Sequence, residues 1–459
     1  MMTSHPSKSA AVLAALAITL ALAPALRAQA EPQPPSTADL EQRIKILERK
    51  LELAEEAKAE EKKAAPSFTA GPDGFSLKSA KGDFVLRLRG YLHVDGRKFL
   101  DDGDRPLTDS FTIRRARPIL EGTLFGKFDF RFMPDFGGGT ATIQDAYLEA
   151  RVSPKFRVRA GKFKPPVGIE RLQSATDLVF VERALPTALV PNRDLGVQLG
   201  GDLLGGRVEY AVGLFDGVVD GSSSDADVTD AKEVAGRLFV RPFRKADNSV
   251  SPVDLGLGLA VSVGDEEGSI TAPALPSYRS VGQQSFFSYR SDATAAGTVF
   301  ADGERTRISP QGYVYVGPFG VLVEAVRSEQ TVRRAAVATD LATDAWQVQL
   351  QWALTGERVG FRAVQPRRPV TATPGGRGAW ILSARVTGLE VDDRTFPLFA
   401  DAARSARQAT STGVGISWNA NRAFRWLLDL NVTEFDGGAA SGADRPDEKA
   451  LFTRLQISF

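Results

Sequence analysis

The sequence predicts an all-β fold, a transmembrane antiparallel β-barrel of about 16 strands preceded by a short N-terminal coiled-coil helix. Apolar and polar residues alternate from Phe84 to the C-terminus, which is the pattern of strands with two different faces. A secretory signal precedes them, and no later segment has about 18 consecutive apolar residues. The chain ends on Phe459, and barrels inserted in an outer membrane usually end on an aromatic residue.

The composition excludes several classes of function. The chain carries 57 basic and 56 acidic residues, so its net charge gives no reason to expect a nucleic-acid partner. It has no Cys, which excludes disulfides and thiolate metal sites. Its two His are His5, within the signal, and His93, too few for a multi-His metal site or for His-based catalysis. We therefore predict no catalytic residues, no metal ligands, no cofactor and no enzymatic activity.

The N-terminal residues predict export. Residues 1–30 are expected to be a signal peptide, with Lys8 in the basic region, an apolar run over residues 10–26 and an A-x-A cleavage site at residues 28–30. A membrane-anchor helix is the alternative, and Pro24 and the short apolar span disfavour it. The mature chain is expected to begin directly after the cleavage site.

Residues 31–65 are predicted to be a linker followed by a short coiled-coil helix. Ser36 and Asp39 resemble a capping box, which starts a helix. The apolar residues then follow a heptad seam at Leu40, Ile44, Leu47, Leu51 and Ala54. So short a seam is marginal alone and favours chains already held together as an oligomer; a solvated single helix or spacer is the alternative. Residues 66–459 are predicted to be the barrel.

The strands are predicted from the alternation, which covers residues 84–97, 111–124, 128–132, 145–152, 156–160, from 195, 207–214, 236–241, 255–263, 305–316, 319–327, 346–354, 380–386, 413–418, 424–432 and 454–459. Short turns at residues 126–127, 153–155 and 317–318 are interleaved with long polar loops, as periplasmic turns and extracellular loops are in such barrels. We expect aromatic girdles at the membrane–water interfaces, formed by Trp346, Trp352, Trp380 and Trp426. A water-soluble β-sandwich is the alternative fold, and the Trp positions and the terminal Phe disfavour it.

If the apolar faces meet lipid, the polar faces line a lumen in which basic residues outnumber acidic ones. The basic residues are almost all Arg, whose planar and permanently charged guanidinium suits oxyanions. Rings of Arg or Lys favour anions in a pore. The candidates on strands for pore lining and anion binding are Arg87, Arg89, Arg115, Arg117, Arg131, Arg151, Arg157 and Arg159. Simple pairing of each Arg with a nearby acid is the alternative interpretation.

The segment from Lys162 to about Asp194 contains four prolines and has no clear period. A long loop inside a β pattern is usually functional, so this segment is the main candidate to fold inward and narrow the pore. Its candidate contacts with solute are Lys162, Lys164, Arg171, Arg183 and Arg193. The irregular, basic stretch over residues 357–377 is a second candidate, and a surface loop is the alternative for both.

Several segments then carry a resemblance to a known family. They include GKFKPPVGIERL at residues 161–172, VFVERAL at 179–185, NRDLGVQLGG at 192–201 and the final RLQISF. In this order and spacing they resemble the phosphate-selective porin family, of the porin O and P type. The resemblance implies a trimeric barrel of sixteen strands in the outer membrane of a Gram-negative bacterium. It also implies an Arg- and Lys-lined constriction that passes phosphate or related small anions.

We therefore expect a passive porin whose partners are phosphate or other small anions, outer membrane lipid and further copies of the same chain. Two alternatives stay open at this point. One is a general porin of weak selectivity, and the other is a structural outer membrane protein that tethers the envelope through its N-terminal helix.

Overall fold

The computed structural model describes residues 36–100, 107–226, 229–245 and 251–459. The signal peptide predicted over residues 1–30 lies outside these ranges. The chain divides into two compact units, Met1–Lys63 and Ala64–Phe459.

Helix α1 (Thr37–Ala64) makes up nearly all of the described part of the first unit. The Ser36 hydroxyl accepts a hydrogen bond from the Asp39 backbone N–H at 3.2 Å and donates one to the Asp39 carboxylate at 2.9 Å, so Ser36 caps the helix as the first half of the predicted capping box. Four seam residues are 45–64% exposed: Leu40, Ile44, Leu47 and Leu51. The described residues therefore leave the apolar seam uncovered. No helix in these residues is both long and apolar enough to cross a membrane.

The second unit is built from strands. In chain order, those within the described residues are β1 (Ser67–Gly71), β2 (Gly74–Lys78), β3 (Val85–Leu100), β4 (Ser110–Leu124), β5 (Phe128–Asp135), β6 (Thr142–Ser153), β7 (Phe156–Phe163), β8 (Asp194–Leu203), β9 (Val208–Phe215), β10 (Glu233–Val240), β11 (Val253–Glu267), β12 (Ser277–Arg279), β13 (Ser285–Ser288), β14 (Val299–Val316), β15 (Phe319–Arg334), β16 (Val337–Ala353), β17 (Ala379–Val391), β18 (Ala406–Asn419), β19 (Phe424–Gly437) and β20 (Glu448–Ser458). A one-turn helix α2 (Ile169–Leu172) follows β7. Short 3₁₀ turns lie at Gly137–Gly139, Leu185–Leu189, Leu204–Gly206, Asp393–Thr395 and Ala440–Gly442.

Sixteen of these strands, β3–β11 and β14–β20, form one closed antiparallel barrel, which confirms the predicted fold class. Each strand pairs with the next in this series, and β20 pairs with β3 to close the ring, from Lys449↔Leu100 to Ser458↔Tyr91. The hairpin β1–β2 pairs with the first residues of β3, which precede the part of β3 that pairs with β20. Strands β12 and β13 form a separate hairpin.

The barrel has an apolar outer face and a polar inner face. On β16, the outward residues Trp346, Val348, Leu350 and Trp352 are 40–47% exposed. The alternating residues Gln347, Gln349 and Gln351 are buried toward the lumen. Since successive side chains of a strand point to opposite faces, the sequence alternation determines this division directly.

The connections divide the barrel into two ends. At one end, here called the turn end, short connections such as residues 154–155 and 317–318 join neighbouring strands. At the other, the loop end, longer connections such as residues 268–298 join them. The connection between β16 and β17, residues 354–378, is also long, although it lies at the turn end.

A buried ion pair crosses the seam where the barrel closes. The Arg454 guanidinium on β20 donates to both carboxylate oxygens of Asp95 on β3, with Nε–Oδ1 at 2.7 Å and Nη2–Oδ2 at 2.6 Å. The two side chains are only 1% and 4% exposed. This two-point geometry joins the last strand to the first on the lumen side.

Asp95→Asn is expected to destabilise the folded barrel by about 3–5 kcal/mol, because the buried Arg454 guanidinium loses its countercharge. Chemical denaturation of the purified barrel, with folded and unfolded forms separated by electrophoretic mobility, measures the change. Asp340→Asn, on the exposed β15–β16 hairpin, is the matched control and should shift stability by less than about 0.5 kcal/mol. An Asp95→Asn barrel as stable as the wild type would contradict a structural role for the seam pair.

Candidate functional site

The connection between β7 and β8, residues 164–193, folds into the barrel and is here called the inward segment. Its backbone is held by side chains of distant wall strands. Asp429 on β19 accepts from the Val181 N–H at 2.8 Å, and Glu324 on β15 accepts from the Ile169 N–H at 2.7 Å. Because these strands lie across the lumen from β7, the segment must cross the lumen. It is slightly shorter than the predicted range, since Lys162 belongs to β7 and Asp194 to β8.

Apolar packing fills the lumen on one side of the inward segment. Leu185 and Leu189 of the segment are buried in a cluster with Phe163, Phe286 and Phe287. The last two belong to the hairpin β12–β13, which comes from the loop end. This packing removes water from that part of the lumen, so solute must pass elsewhere.

A second connection narrows the lumen from the opposite end. The turn-end segment, residues 354–378, packs Val359 and Val364 against Ile169 of the inward segment. The Gln173 side-chain amide donates to the Phe361 carbonyl at 2.6 Å. The two irregular segments therefore meet inside the barrel, which explains why neither carries a strand or helix period in the sequence.

The remaining space is a cavity of about 1860 Å³. It extends from Pro72 and Asp73 at the turn end to Arg279 and Gln283 at the loop end. Among the described residues its lining contains 18 Arg and one Lys against six Asp or Glu, so the path is strongly basic although the whole chain is almost neutral.

Nine of the thirteen sequence candidates line this cavity: Arg89, Arg115, Arg117, Arg131, Arg159, Lys164, Arg171, Arg183 and Arg193. Four do not. Arg151 pairs with Asp129 at 2.7 Å, and Arg157 pairs with Asp202 at 3.1 Å. Exposed Arg87 lies on the part of β3 beside the hairpin β1–β2. Strand alternation assigns these residues to a face but not to a height, so it cannot separate the cavity wall from the rim.

Lys162 is outside the cavity for a different reason. It lies on β7 on the opposite face from Arg159 and Phe163, which both line the cavity. It is 4% exposed and forms an ion pair with Asp225 of the β9–β10 connection. The sequence placed it in the loop because the end of β7 carries no signal of its own.

One lining residue that the sequence analysis missed is Arg114. The pairing of β3 with β4 shifts between His93↔Arg115 and Val94↔Ile113, which makes Arg114 the extra residue of a β-bulge. A bulge re-aims side chains, and here Arg114 and Arg115 both line the cavity. Strict alternation assigns neighbouring residues to opposite faces, and the adjacent arginines in the sequence do not reveal the bulge.

Arg114 connects the wall to the inward segment. Its guanidinium donates to both oxygens of Glu182, with Nε–Oε1 at 2.7 Å and Nη2–Oε2 at 3.2 Å. Burial alone would raise the pKa of Glu182, but the charge of Arg114 holds that pKa well below its ordinary value. The pair fixes the position of the next residue, Arg183, whose side chain lines the cavity.

Several wall arginines of the cavity are neutralised by carboxylates. Arg117 pairs with Asp135 at 2.7 Å, and Arg159 pairs with Glu149 at 2.6 Å. Arg131 is shared between two acids on neighbouring strands. For these side chains, the pairing alternative raised by the sequence describes the geometry.

Three cations of the inward segment differ: Lys164, Arg171 and Arg183, here called the cationic trio. None of them has a carboxylate within ion-pair distance in the described residues. Lys164 Nζ donates to the Gln173 carbonyl at 2.9 Å, and Arg183 Nη2 donates to the same oxygen at 2.9 Å. Arg171 Nη1 donates to the Asn192 side-chain oxygen at 3.0 Å. Neutral oxygens therefore orient the trio without cancelling its charge.

Burial and neighbouring positive charges lower pKa values within the trio. Burial, together with Arg193 and Arg183, lowers the pKa of Lys164 well below its ordinary value. Burial lowers the pKa of Arg183 to about 10. An anion bound beside these groups would stabilise their charged forms, and guanidinium groups suit planar, two-point contact with oxyanions.

Comparisons with known proteins agree with this architecture. The family model described as phosphate-selective porin O and P matches residues 86–459. The anion-selective porin from Comamonas acidovorans has a similar structure, with a TM-score of 0.52 and 10% identity over 82% of this chain and 100% of that chain. The outer membrane channel DcaP of Acinetobacter baumannii has a TM-score of 0.51 and 13% identity over 85% of this chain and 100% of that chain. At these identities the two structures support the fold alone. No curated protein matches the chain.

Asp429→Ala is expected to loosen the inward segment, because the buried Val181 N–H loses its acceptor at a cost of about 1–3 kcal/mol. Hydrogen exchange of the amides around Val181 should become roughly tenfold faster, as expected when local stability falls by about 1.4 kcal/mol. Asp340→Ala, at an exposed position on β16, is the control and should leave the exchange around Val181 unchanged. Unchanged exchange in Asp429→Ala would show that the segment is held without the wall carboxylate.

Proposed function

This chain belongs to the phosphate-selective porin O and P family, and from that membership we propose that it conducts small anions and prefers phosphate. It is an outer membrane porin of the Gram-negative type, with a closed barrel of sixteen strands. Its family and fold are those of a channel rather than of an enzyme. The signal peptide over residues 1–30 stays a prediction.

The observation that carries the proposal is the cationic trio. A pore selects a solute by binding it firmly enough to admit it and weakly enough to release it. Many arginines of the wall form ion pairs, which reduces their free charge, whereas Lys164, Arg171 and Arg183 have no carboxylate within ion-pair distance among the described residues. Phosphate would be attracted by the basic lining and handed between these groups as it passes.

A second candidate is a general porin of weak anion preference. The neutralised wall arginines, such as Arg117 with Asp135, favour this alternative because they leave less free charge along the path. The two candidates differ in whether phosphate binds inside the pore and obstructs the flow of another anion.

We also propose that the protein is a homotrimer. The support comes from helix α1, whose seam residues are exposed in the single chain and spaced as a coiled coil requires. A tether to another envelope component is the alternative role for this helix.

Removing one charge of the trio is expected to weaken phosphate binding about tenfold, or about 1.4 kcal/mol, which lies between the water and low-dielectric limits for charges about 4 Å apart. The variants are Lys164→Gln, Arg171→Gln and Arg183→Gln. The measurement is the phosphate concentration that halves the chloride current in planar bilayers, together with the reversal potential in a chloride gradient.

Arg151→Gln is the control for these variants, since Arg151 lies outside the cavity and pairs with Asp129. Its phosphate block should equal that of the wild type. Cation-selective current in the wild type, or no block by phosphate, would contradict the phosphate preference but not the barrel fold. Equal block in the wild type and all three trio variants would move the binding site elsewhere.

Anion preference is expected to fall as pH rises, because Lys164 loses its charge. Below its pKa Lys164 is charged and attracts anions, and its lowered pKa means that it loses this charge at a lower pH than an ordinary Lys. Lys164 is the one Lys among the described lining residues, and none of them is His. The chloride-to-potassium permeability ratio, measured between about pH 6 and about pH 8.5, reports the change without titration of the solute. This range lies below the pKa of about 10 to which burial lowers Arg183. Lys164→Arg keeps the charge and should give a flat profile; a flat profile in the wild type would contradict the role of Lys164.

A further inference from the structure

The two ends of the barrel carry opposite charge. The described connections that join barrel strands at the turn end hold 12 Lys or Arg against one Asp or Glu. The described connections at the loop end, apart from the inward segment, hold six Lys or Arg against 11 Asp or Glu. Since the whole chain has 57 basic and 56 acidic residues, the positive charge belongs to the turn-end face and not to the composition.

Five of these cations lie on the turn-end segment, residues 354–378, and all five are Arg: Arg358, Arg362, Arg367, Arg368 and Arg377. No carboxylate lies within ion-pair distance of any of them in the described part of the chain. The one acid of the segment, Glu357, is 3% exposed and accepts hydrogen bonds from the Thr355 hydroxyl and the Arg367 backbone N–H. Its carboxylate is occupied inside the segment, which leaves the arginines available to an external anion.

The backbone of the turn-end segment is fixed by the neighbouring β18–β19 turn. The Val370 N–H donates to the Ala420 carbonyl at 2.7 Å, and the Asn421 side-chain amide donates to the Val370 carbonyl at 3.0 Å. The Arg377 N–H donates to the Arg368 carbonyl at 3.0 Å, which brings these two arginines together. A backbone that is already ordered lowers the conformational cost of binding a partner.

Passage of solute accounts for only some of these arginines. Arg358, Arg362 and Arg367 line the cavity, whereas Arg368 and Arg377 do not line it, although both are exposed. Guanidinium groups pair with carboxylates through two parallel hydrogen bonds, and Arg is enriched at protein interfaces. Since the short turns of outer membrane barrels face the periplasm, these exposed arginines are presented to that compartment beside the exit of the pore.

We propose that the turn-end segment docks a periplasmic protein through an acidic face of that protein, with Arg368 and Arg377 among the contacts. Charge complementarity identifies the partner. Other turns of this end carry Lys127, Lys155 and Lys245, whereas the docking cluster is entirely Arg, whose planar group favours defined carboxylate contacts over diffuse attraction to a lipid surface. The proposal concerns binding of a partner and does not depend on which anion the pore prefers.

The probe for this surface is a fluorescent oligoglutamate peptide, which represents an acidic protein face. The full-length protein is held in nanodiscs of zwitterionic lipid, and binding is measured by fluorescence anisotropy at low ionic strength, where surface charges are least screened. Arg368→Gln combined with Arg377→Gln should weaken peptide binding roughly tenfold, because two exposed ion pairs are lost. An oligoglutamine peptide, whose side chains carry no charge, should not bind.

Lys127→Gln combined with Lys155→Gln is the matched control, since it removes two exposed cations from other turns of the same end. It should change peptide binding by less than about twofold. No binding by the wild type would overturn the docking site. Equal weakening in the two double variants would also overturn it, because the peptide would then respond to a diffuse basic face.

A lipid surface is the other candidate partner for these arginines, and a single label separates it from a protein. Arg368→Cys introduces one thiol into a chain that has no Cys, and a fluorophore is attached there. In vesicles with nitroxide quenchers on the lipid headgroups, this label should be quenched several-fold less than a label at Phe319→Cys, an outward turn-end position on β15 that is 55% exposed. Equal quenching would contradict a protein partner. Neither measurement requires conduction, so neither bears on phosphate block.

Discussion

Saturation of backbone hydrogen bonds within the bilayer is the constraint on which the rest of the structure depends. Lipid offers no partner for a free N–H or C=O, so a β protein can cross it only as a closed sheet. Pairing of β20 with β3 meets that requirement, and the Asp95–Arg454 pair joins the same two strands inside the lumen. Closure also creates an interior lined by the polar side of every strand, and the function depends on how that interior is filled.

The interior is filled unequally. The inward segment and the hairpin β12–β13 fill one part of the lumen with apolar packing, and the open path lies against the strands that carry the arginines. Most of the charged wall side chains along this path form ion pairs, which reduces the desolvation cost of enclosing so many charges. The trio on the inward segment escapes cancellation because backbone carbonyls and an amide, rather than carboxylates, hold it.

The position of the trio depends in part on a β-bulge in the wall. The bulge at Arg114 directs an extra guanidinium into the lumen. There it donates hydrogen bonds to Glu182, the residue before Arg183. Asp429 and Glu324 hold other points of the same segment. A loop without regular structure is thereby given a defined path by charges and acceptors on strands far away in the sequence.

The sequence by itself determined the barrel, the approximate strand number and the outward or inward face of most strand residues, because alternation with period two is a local property of the chain. It also assigned to the inner face five strand arginines that line the cavity, Arg117 and Arg131 among them. Only the tertiary structure decided that Arg151 and Arg157 lie away from the cavity, that Arg114 joins it through a bulge, and that Lys162 belongs to a strand. Only the tertiary structure separated the cations that form ion pairs from those that do not. These features depend on strand height, register and contacts between residues far apart in the chain, such as Val181 with Asp429, and no local pattern encodes such contacts.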